Sequence, residues 1–262
     1  MIKNYINVII PIIKICKNWH VIIFSKLFNL KIKNIELKDG VKFSVDGIIP
    51  KADLSMLVET WFNHDYTPLG FEIGEKDLVI DIGANNGFFS IFAAKKATSG
   101  HVISFEPVPE LVNKIKTNID LNKISNIKLE QLAVSNKKGH IEFYISKTHN
   151  GCHSLFKRSA SDDKIIINTI KLEDYCFENK IQKINLLKMD CEGAEYDIFN
   201  SLSAKFLKNN IEKISMEYHD IIGEHKHGEI INQLKNNGFS TKVLGDSNSG
   251  YIYALNDNLI NK

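Results

Sequence analysis

Arginine is almost absent from this chain of 262 residues, because Arg158 is the only one among its 33 basic residues. Arginine is the side chain that reads guanine bases and phosphates through paired hydrogen bonds, and lysine does not reproduce that geometry. The formal net charge is only +2, so no general excess of basic residues compensates for the missing arginines. The composition argues against dedicated recognition of nucleic acids, and we expect no nucleic-acid partner.

Closely spaced cysteines are missing as well. The four cysteines are scattered and form no Cys-x-x-Cys pair: Cys16, Cys152, Cys176 and Cys191. Zinc sites need grouped ligands, and small secreted domains need a framework of disulfides. The pattern gives no zinc signature and predicts reduced thiols in a cytoplasmic protein.

The first 33 residues contain six lysines but neither aspartate nor glutamate, and the first acidic residue is Glu36. Their apolar residues occur in short clusters, and Pro11 interrupts the longest, whereas a helix that spans a bilayer needs about 20 apolar residues. The small-residue cleavage site of a signal peptide is also missing. Two interpretations stay open: residues 1–33 form helices that cap the core, or they form a basic amphipathic segment that lies on an anionic membrane surface.

The segment from Leu78 to Phe89 is the most informative part of the chain. Residues 78–82 are apolar except for Asp81, which is typical of a strand buried on both faces of a parallel sheet. Gly83 and Gly87 permit a tight turn, and from Phe88 the apolar spacing becomes helical. Strand, glycine turn and helix form a nucleotide-binding unit, in which the amides at the start of the helix face the ligand.

The residues of this turn discriminate between nucleotides. Asn85 occupies the position of the middle glycine in a dinucleotide fingerprint, which makes a nicotinamide dehydrogenase the weaker alternative, and no Walker lysine follows. Asp81 would repel a phosphate but suits a cation. The next strand, His101–Phe105, ends at Glu106, where an acid accepts hydrogen bonds from ribose hydroxyls. A ligand with a ribose, a positive centre and no phosphate is S-adenosylmethionine.

The rest of the chain alternates between strands and helices, which predicts a doubly wound, mostly parallel, Rossmann-like α/β sheet with its ligand crevice at the carboxyl ends of the strands. A hairpin with a type I′ turn at Asp39-Gly40 and a helix over 53–63 precede it. We expect a helical and hairpin segment over 1–50 and the α/β domain over 51–262. Further strands are predicted over 127–134, 139–145, 164–172, 184–190 and 211–216, and an antiparallel pair over 239–244 and 251–255. Helices are predicted over 110–122, from 173, from 194 and over 228–237, and a mobile polar loop over 146–161.

Three segments in this order resemble the FkbM-type methyltransferases: Val79–Gly87, Phe105-Glu106-Pro107, and Lys188–Glu195 with the sequence Lys-Met-Asp-Cys-Glu-Gly-Ala-Glu. The resemblance covers residues 50 to 240, approximately. It implies a seven-stranded class I methyltransferase fold and methyl transfer from S-adenosylmethionine, usually to a sugar or polyketide hydroxyl. The loop at 146–161 and the segment after Asp220 would shape the pocket for a small-molecule, glycan or lipid-linked acceptor.

We expect the ends of three strands to hold the cofactor. Asp81 and the amides of the turn should bind the amine and carboxylate of the methionine part, and Glu106 should bind the ribose. Both acids are expected to point into the crevice and not into the core, so their replacement should weaken cofactor binding and leave the fold intact. The residues expected to contact the cofactor are Asp81, Gly83, Ala84, Asn85, Gly87, Glu106, Pro107, Ala133 and Val134, the last two flanking the adenine.

Four side chains are candidates for the base that deprotonates the acceptor hydroxyl: Asp190, Glu192, Glu217 and His219. An alcohol is a poor nucleophile, so a nearby base helps, and alignment of the two reactants contributes as well. An aspartate near its reference pKa of about 3.9 is a weak base at neutral pH unless burial raises that pKa. A histidine is better matched. The choice among the four stays open.

Two further alternatives concern the chemistry. Mg²⁺-dependent O-methyltransferases of another class I family, which act on diols, hold the ion with acids after comparable strands. Asp190 and Glu217 occupy such positions, but the third ligand is not evident, so no metal ligand is assigned, and His225 and His227 are typical of a solvated loop. A non-catalytic module that binds S-adenosylmethionine and regulates a partner is the other alternative. N-methylation is disfavoured, because the usual Asn/Asp-Pro-Pro-Tyr motif is replaced by the residues 190–193, Asp-Cys-Glu-Gly.

Overall fold

A computed structural model describes residues 2–145, 163–220, 226–246 and 248–260. In chain order the strands are β1 (Ile32–Glu36), β2 (Lys42–Gly47), β3 (Leu78–Ile82), β4 (His101–Phe105), β5 (Ile127–Glu130), β6 (Ala133–Val134), β7 (Gly139–Ile145), β8 (Asp163–Ile170), β9 (Ile184–Met189), β10 (Ile211–His219), β11 (Phe239–Gly245) and β12 (Ser249–Asn256). The helices are α1 (Ile2–Ile15), α2 (Trp19–Phe28), α3 (Lys51–Val58), α4 (Phe88–Lys96), α5 (Pro109–Leu121), α6 (Leu172–Glu178), α7 (Glu195–Ser201), α8 (Ala204–Asn210), α9 (His227–Asn236) and α10 (Asp257–Ile260).

The centre of the molecule is a seven-stranded sheet with the order β11-β12-β10-β9-β3-β4-β5. β12 runs antiparallel to both of its neighbours, and the other four strand pairs, which involve β10, β9, β3, β4 and β5, are parallel. From β3 the chain proceeds outward through β4 to β5, whereas from β9 it proceeds in the opposite direction. The point between β3 and β9 is therefore the topological switch, where open α/β sheets bind their ligands. The predicted class I methyltransferase fold is confirmed.

The segment after β9 forms two helices where the sequence predicts one. α7 ends at Ser201, and Leu202 adopts an extended conformation with ψ 128°. The Ser203 hydroxyl then accepts a hydrogen bond from the backbone N–H of Phe206 at 3.1 Å, which starts α8. A serine in this position satisfies one of the free N–H groups at the start of a helix. The prediction of a single helix from residue 194 therefore overlooked Ser203, a helix start signal that the sequence contains.

The segment 127–134 is also divided, although the sequence predicts a single strand there. β5 ends at Glu130, whose carbonyl accepts a hydrogen bond from the backbone N–H of Glu106 at 3.1 Å. Ala133 and Val134 instead pair with β8 in a separate three-stranded sheet of order β6-β8-β7. The segments predicted near 139–145 and 164–172 thus form strands, but in this second sheet. The division places apolar residues of the second sheet beside the ligand edge of the first.

The N-terminal hairpin closes with a different turn from the predicted type I′. That turn requires positive φ at both central residues, but here φ is positive at Gly40 (91°) and negative at Asp39. The N–H of Gly40 donates to the Leu37 carbonyl, and the Asp39 carboxylate accepts from the N–H of Val41 at 3.0 Å. The prediction was wrong because the loop is longer than two residues, with Glu36 pairing with Lys42.

The N-terminal elements pack against the main domain through one apolar cluster. Ile12 of α1, Ile22 of α2 and Phe43 of β2 are buried together with Phe88 and Ile91 of α4. The aromatic rings of Phe43 and Phe88 meet edge to face, with centroids 4.6 Å apart. The N-terminal helices therefore cap part of the core, which was one of the two interpretations of residues 1–33. The division into two parts at residue 50 stays a prediction.

Side chains of α5 connect the hairpin to the glycine turn. The side-chain oxygen of Asn118 accepts a hydrogen bond from the backbone N–H of Ser44 at 2.8 Å. Its side-chain NH₂ group donates to the backbone carbonyl of Asn86 at 3.1 Å. Asn122 bonds both backbone groups of Lys42 in the same way. These contacts pair backbone groups of Lys42 and Ser44 at the edge of β2.

The predicted polar loop over 146–161 and His225 lie outside the described residues. Within the ranges that are described, no helix is both long enough and apolar enough to cross a bilayer.

Candidate active site

A cavity of about 260 Å³ lies at the carboxyl ends of β3, β4 and β9. Ile82, Phe105 and Asp190, which end or directly follow these strands, line it. One part of the wall is apolar and comes from the region of the second sheet: Leu132, Ala133, Val134, Ile141 and Phe143. Another part is acidic and comes from four carboxylates: Glu59, Asp190, Glu192 and Glu217. The cavity is therefore polarised, with an apolar region and a region suited to positive charge.

Most of the predicted site residues line this cavity, and some do not. Those in the wall are Gly83, Asn85, Glu106, Pro107, Ala133, Val134, Asp190, Glu192 and Glu217. Those outside the wall are Asp81, Ala84, Gly87 and His219. The segment predicted as a helix over 53–63 supplies wall residues that sequence reasoning did not assign. It is α3, followed by a π-helical turn over Glu59–Asn63, and such turns are frequent at functional sites.

Asp81 lies beneath the cavity, which corrects the expectation that it points into the crevice. Its side chain is fully buried, and one carboxylate oxygen lies 3.0 Å from the Lys188 ammonium. The other oxygen accepts a hydrogen bond from the Ser90 hydroxyl at 2.5 Å. β3 and β9 are neighbours in the sheet, and Asp81 is directly opposite Lys188 in their register. The sheet pairs the two charges in the core, so the Asp81 carboxylate does not line the cavity.

Lys188 is the central cation of the site, and sequence reasoning gave it no role. Besides Asp81, its ammonium donates to the Gly83 carbonyl at 3.0 Å and lies 5.0 Å from the centre of the Tyr66 ring. Burial lowers its pKa, but the negative charges of Asp81 and Asp190 outweigh burial, so the net shift is upward and the group stays charged. The sequence did contain a signal for this pair, because each of the two buried strands carries one charged residue and the two charges are of opposite sign.

Four amides of the glycine turn already have acceptors within the protein, so in this arrangement they are not free for the carboxylate that they were expected to bind. The N–H groups of Gly83 and Ala84 donate to the Phe105 carbonyl at 3.1 and 3.0 Å, and that of Gly87 donates to the Ala84 carbonyl. The N–H of Asn85 donates to Glu106 at 2.8 Å. The turn is fixed by these bonds. Gly83 is also required sterically, since a Cβ there would lie 1.8 Å from the Asp190 carbonyl oxygen.

Glu106 lies in the cavity wall as expected, but it also organises the protein. Its two carboxylate oxygens accept hydrogen bonds from the N–H groups of Asn85 and Val108, at 2.8 and 3.0 Å. Burial raises its pKa to about 7, although both hydrogen bonds act in the opposite direction. Each carboxylate oxygen has a second lone pair, so Glu106 keeps acceptor capacity for a ligand hydroxyl.

Glu195 plays the corresponding part in the loop after β9. It is fully buried, and its two oxygens accept from the N–H groups of Cys191 and Gly193 at 2.9 and 2.8 Å. These bonds hold Glu192 in the left-handed conformation, with φ 54°. A non-glycine residue in that region is strained, and strain of this kind is common at functional sites. The loop therefore presents Asp190 and Glu192 to the cavity in a fixed geometry.

The Tyr66 hydroxyl contacts two acids of the cavity wall, Asp190 and Glu217. It donates to Asp190 at 2.9 Å and lies 3.2 Å from Glu217. One hydroxyl proton cannot serve both carboxylates, so protonated Glu217 would donate its own proton to the Tyr66 oxygen. Burial, followed by the charge of Asp190, raises the pKa of Glu217 to about 8. The same two causes raise the pKa of Glu59 to about 7.

His219 lies behind these acids and is surrounded by carboxylates. Its Nδ1 is 3.3 Å from Glu195, and its Nε2 is 3.7 Å from Glu217 and 3.9 Å from Glu192. Burial lowers its pKa, but the bond to Glu195 and the surrounding negative charges outweigh burial and raise the pKa to about 9. The ring is therefore an imidazolium at neutral pH, which holds a proton and cannot accept another.

Asp190, Glu217 and His219 also form a possible ligand set for a metal ion. Among the described residues, one donor atom from each lies within 4.8 Å of the others, so His219 supplies the third candidate donor that the sequence did not reveal. An imidazolium has no free lone pair for a metal, and its own charge balances the carboxylates. The geometry would accept an ion only after His219 loses its proton.

Comparison with known proteins identifies the family. Residues 81–241, more than half of the chain, match the methyltransferase FkbM domain. The chain belongs to the FkbM methyltransferase family.

Curated relatives of this FkbM methyltransferase are distant in sequence. The 31-O-demethyl-FK506 methyltransferase FkbM of Streptomyces tacrolimicus is 25% identical over 72% of this chain and 82% of its own length. The hexuronic acid methyltransferase AglP of Haloferax volcanii is 24% identical over 67% of this chain and 70% of its own length. Among solved structures, methyltransferase FkbM from Methylobacillus flagellatus is 12% identical, with a TM-score of 0.46 over 70% of this chain and 44% of that one.

The FkbM methyltransferase uses S-adenosylmethionine as its methyl donor. The polarised cavity fits this compound, because a flat adenine suits the apolar wall and the sulfonium and amine suit the acidic one. Glu106 fits a ribose, since its carboxylate lies in the cavity wall and has acceptor capacity left.

The buried pair of Asp81 and Lys188 generates a prediction about stability. Asp81→Ala should lower the free energy of unfolding by roughly 3–5 kcal/mol, because it leaves a buried ammonium without its carboxylate. Urea denaturation followed by circular dichroism measures this loss. The matched control is Asp120→Ala, which removes an exposed aspartate of α5 and should change the stability by less than about 0.5 kcal/mol. Equal stability of the two variants would show that the pair does not hold the core together.

Proposed function

We propose that this FkbM methyltransferase transfers a methyl group to a hydroxyl oxygen of a sugar, a glycan or a lipid-linked saccharide. A relative named 2-O-methyltransferase supports transfer to an oxygen, and a relative named for a hexuronic acid supports the choice of a sugar. The observation that carries the proposal is Glu217, a carboxylate of raised pKa in the cavity wall and in contact with Tyr66. A base of this kind suits an alcohol acceptor, whose oxygen must lose a proton during the transfer.

The chain's residues divide into a binding part and a reacting part. Ala133, Val134 and Pro107 would flank the adenine, Glu106 would accept from the ribose, and Asp190 and Glu59 would face the positive charges. S-adenosylmethionine supplies an electrophilic methyl group on a sulfonium. The fixed loops after β3 and β9 would align donor and acceptor, and alignment contributes several kcal/mol to such reactions.

Glu217 is the base in this proposal, and His219 is a positioning residue. Once it is ionised, a carboxylate with a pKa of about 8 accepts a proton far better than an ordinary carboxylate does. His219 has a pKa of about 9, so it holds its proton at neutral pH, and its positive charge lowers the pKa of Glu217. Asp190 accepts a hydrogen bond from the Tyr66 hydroxyl and so fixes the Tyr66 ring beside Glu217. The acceptor proton would pass from the hydroxyl to the carboxylate of Glu217.

Transfer of a labelled methyl group tests the function. The protein is incubated with S-adenosylmethionine labelled in the methyl group and with a panel of uronic acids, neutral sugars and lipid-linked saccharides, with and without a chelator. We expect an alkali-stable methyl ether on one class of saccharide, formed equally with the chelator. Label found only on amines would contradict the proposal, and so would binding of S-adenosylhomocysteine without transfer to any hydroxyl compound.

The pH dependence of turnover tests the assignment of the base. Glu217 must be ionised to accept a proton, so turnover should rise with pH up to a pKa of about 8 and fall above about 9, where His219 loses its charge. Glu217→Gln should lower turnover by roughly a hundredfold or more and remove the rising limb. His219→Gln should move that limb to higher pH, because the positive charge that lowers the pKa of Glu217 is lost.

His101→Gln is the control, since this exposed histidine lies at the opposite end of β4 and should leave the pH profile unchanged. Loss of the rising limb in His219→Gln, with the limb kept in Glu217→Gln, would make His219 the base instead.

A further inference from the structure

α2 exposes apolar side chains that the core does not need. The helix has the sequence Trp-His-Val-Ile-Ile-Phe-Ser-Lys-Leu-Phe, and of its residues only Ile22 and Ser25 are buried. Phe24, Leu27 and Phe28 are 56%, 70% and 62% exposed, and the rings of Phe24 and Phe28 stack on each other. We call the exposed apolar residues of this region the α2 surface: Trp19, Val21, Phe24, Leu27, Phe28 and Leu30. An apolar surface of this kind on a folded protein indicates an interaction site.

The α2 surface is fixed in place and is not a frayed end of the chain. Ile22 belongs to the apolar cluster shared with α4, and the Lys26 ammonium donates to the Ile49 carbonyl at 2.6 Å. Asn18, directly before the helix, bonds the backbone of β1 through both atoms of its amide. The helix therefore presents its apolar side chains in one arrangement, which is attached to the segment that leads into α3 and the cavity wall.

Positive charge surrounds the α2 surface at both ends of the helix. Lys14 and Lys17 precede it, Lys31 and Lys33 follow it, and all four are exposed. The sequence has no acidic residue before Glu36, which lies within 3.7 Å of Lys42. Apolar side chains bordered by lysines complement a surface with anionic groups at its boundary and hydrocarbon below it.

We propose that the α2 surface docks this enzyme on an anionic lipid bilayer. Phe24, Leu27 and Phe28 would enter the boundary between headgroups and acyl chains, and the lysines would contact the anionic headgroups. A second copy of the chain is the less suitable occupant, because two such surfaces would bring lysines together without acids to pair them. The inference does not depend on which hydroxyl the enzyme methylates.

Vesicle binding with point variants tests the proposal, because truncation of residues 1–33 would remove core residues such as Ile12 and Ile22. The full-length protein is sedimented with phosphatidylcholine vesicles that contain phosphatidylserine, and with pure phosphatidylcholine vesicles. We expect binding to the anionic vesicles that weakens as salt is added. Phe24→Ser/Phe28→Ser should weaken it by roughly tenfold or more. Lys17→Gln/Lys31→Gln/Lys33→Gln should weaken it by roughly a hundredfold.

Matched controls use exposed residues elsewhere. Phe177→Ser removes an aromatic side chain that is 85% exposed on α6, and Lys95→Gln/Lys205→Gln/Lys208→Gln removes three exposed lysines of α4 and α8. Both controls should bind vesicles within about twofold of the unchanged protein, since their sites lie outside the α2 surface. Failure to bind anionic vesicles would overturn the proposal. So would equal losses in the controls, or a dimer in solution that the Phe24→Ser/Phe28→Ser variant abolishes.

Discussion

The site depends on one interaction, the buried ion pair between the Lys188 ammonium and Asp81 on two neighbouring parallel strands. The ammonium lies 3.0 Å from a carboxylate oxygen of Asp81 and 3.0 Å from the Gly83 carbonyl, so it joins β9 to the start of the glycine turn. It also lies under the ring of Tyr66, whose hydroxyl reaches the acids of the cavity. A buried ion pair adds little net stability compared with apolar residues of similar volume, because desolvation offsets most of its attraction. Its position here indicates that it organises the cavity.

The acids of the site fall into two groups with different tasks. Glu106 and Glu195 have their oxygens bound by backbone N–H groups, and each of them fixes one loop at the carboxyl edge of the sheet. Burial raises the pKa of Glu106 as well, but both of its oxygens are already bound by backbone N–H groups. Glu217 and Glu59 have fewer partners, and burial together with the charge of Asp190 raises their pKa values. The first group therefore provides a rigid frame, and the second provides groups that can exchange a proton near neutral pH.

The sequence allowed the fold to be predicted more fully than the roles of single residues. The order of strands and helices followed from apolar periodicity, and the positions of Glu106, Asp190 and Glu217 followed from their places directly after strands or near a strand end. The burial of Asp81 was missed, because an acid at the end of a strand is equally compatible with a ligand and with a lysine in the neighbouring strand. Tyr66 and Glu59 were missed because they reach the site through packing of a distant segment, which no local pattern encodes. The raised pKa of His219 depends on Glu195 and Glu192, 24 and 27 residues earlier in the chain.

We infer that the pair of Asp81 and Lys188 organises the cofactor site. Calorimetric titration with S-adenosylhomocysteine of the double variant Asp81→Leu/Lys188→Met tests it most directly, beside the unchanged protein and with thermal unfolding as the check on folding. Replacement of both partners by apolar residues should leave the protein folded. We expect this folded variant to bind the ligand at least roughly tenfold more weakly, because the Gly83 carbonyl and Tyr66 lose their common contact with Lys188. Unchanged affinity in the folded double variant would contradict it.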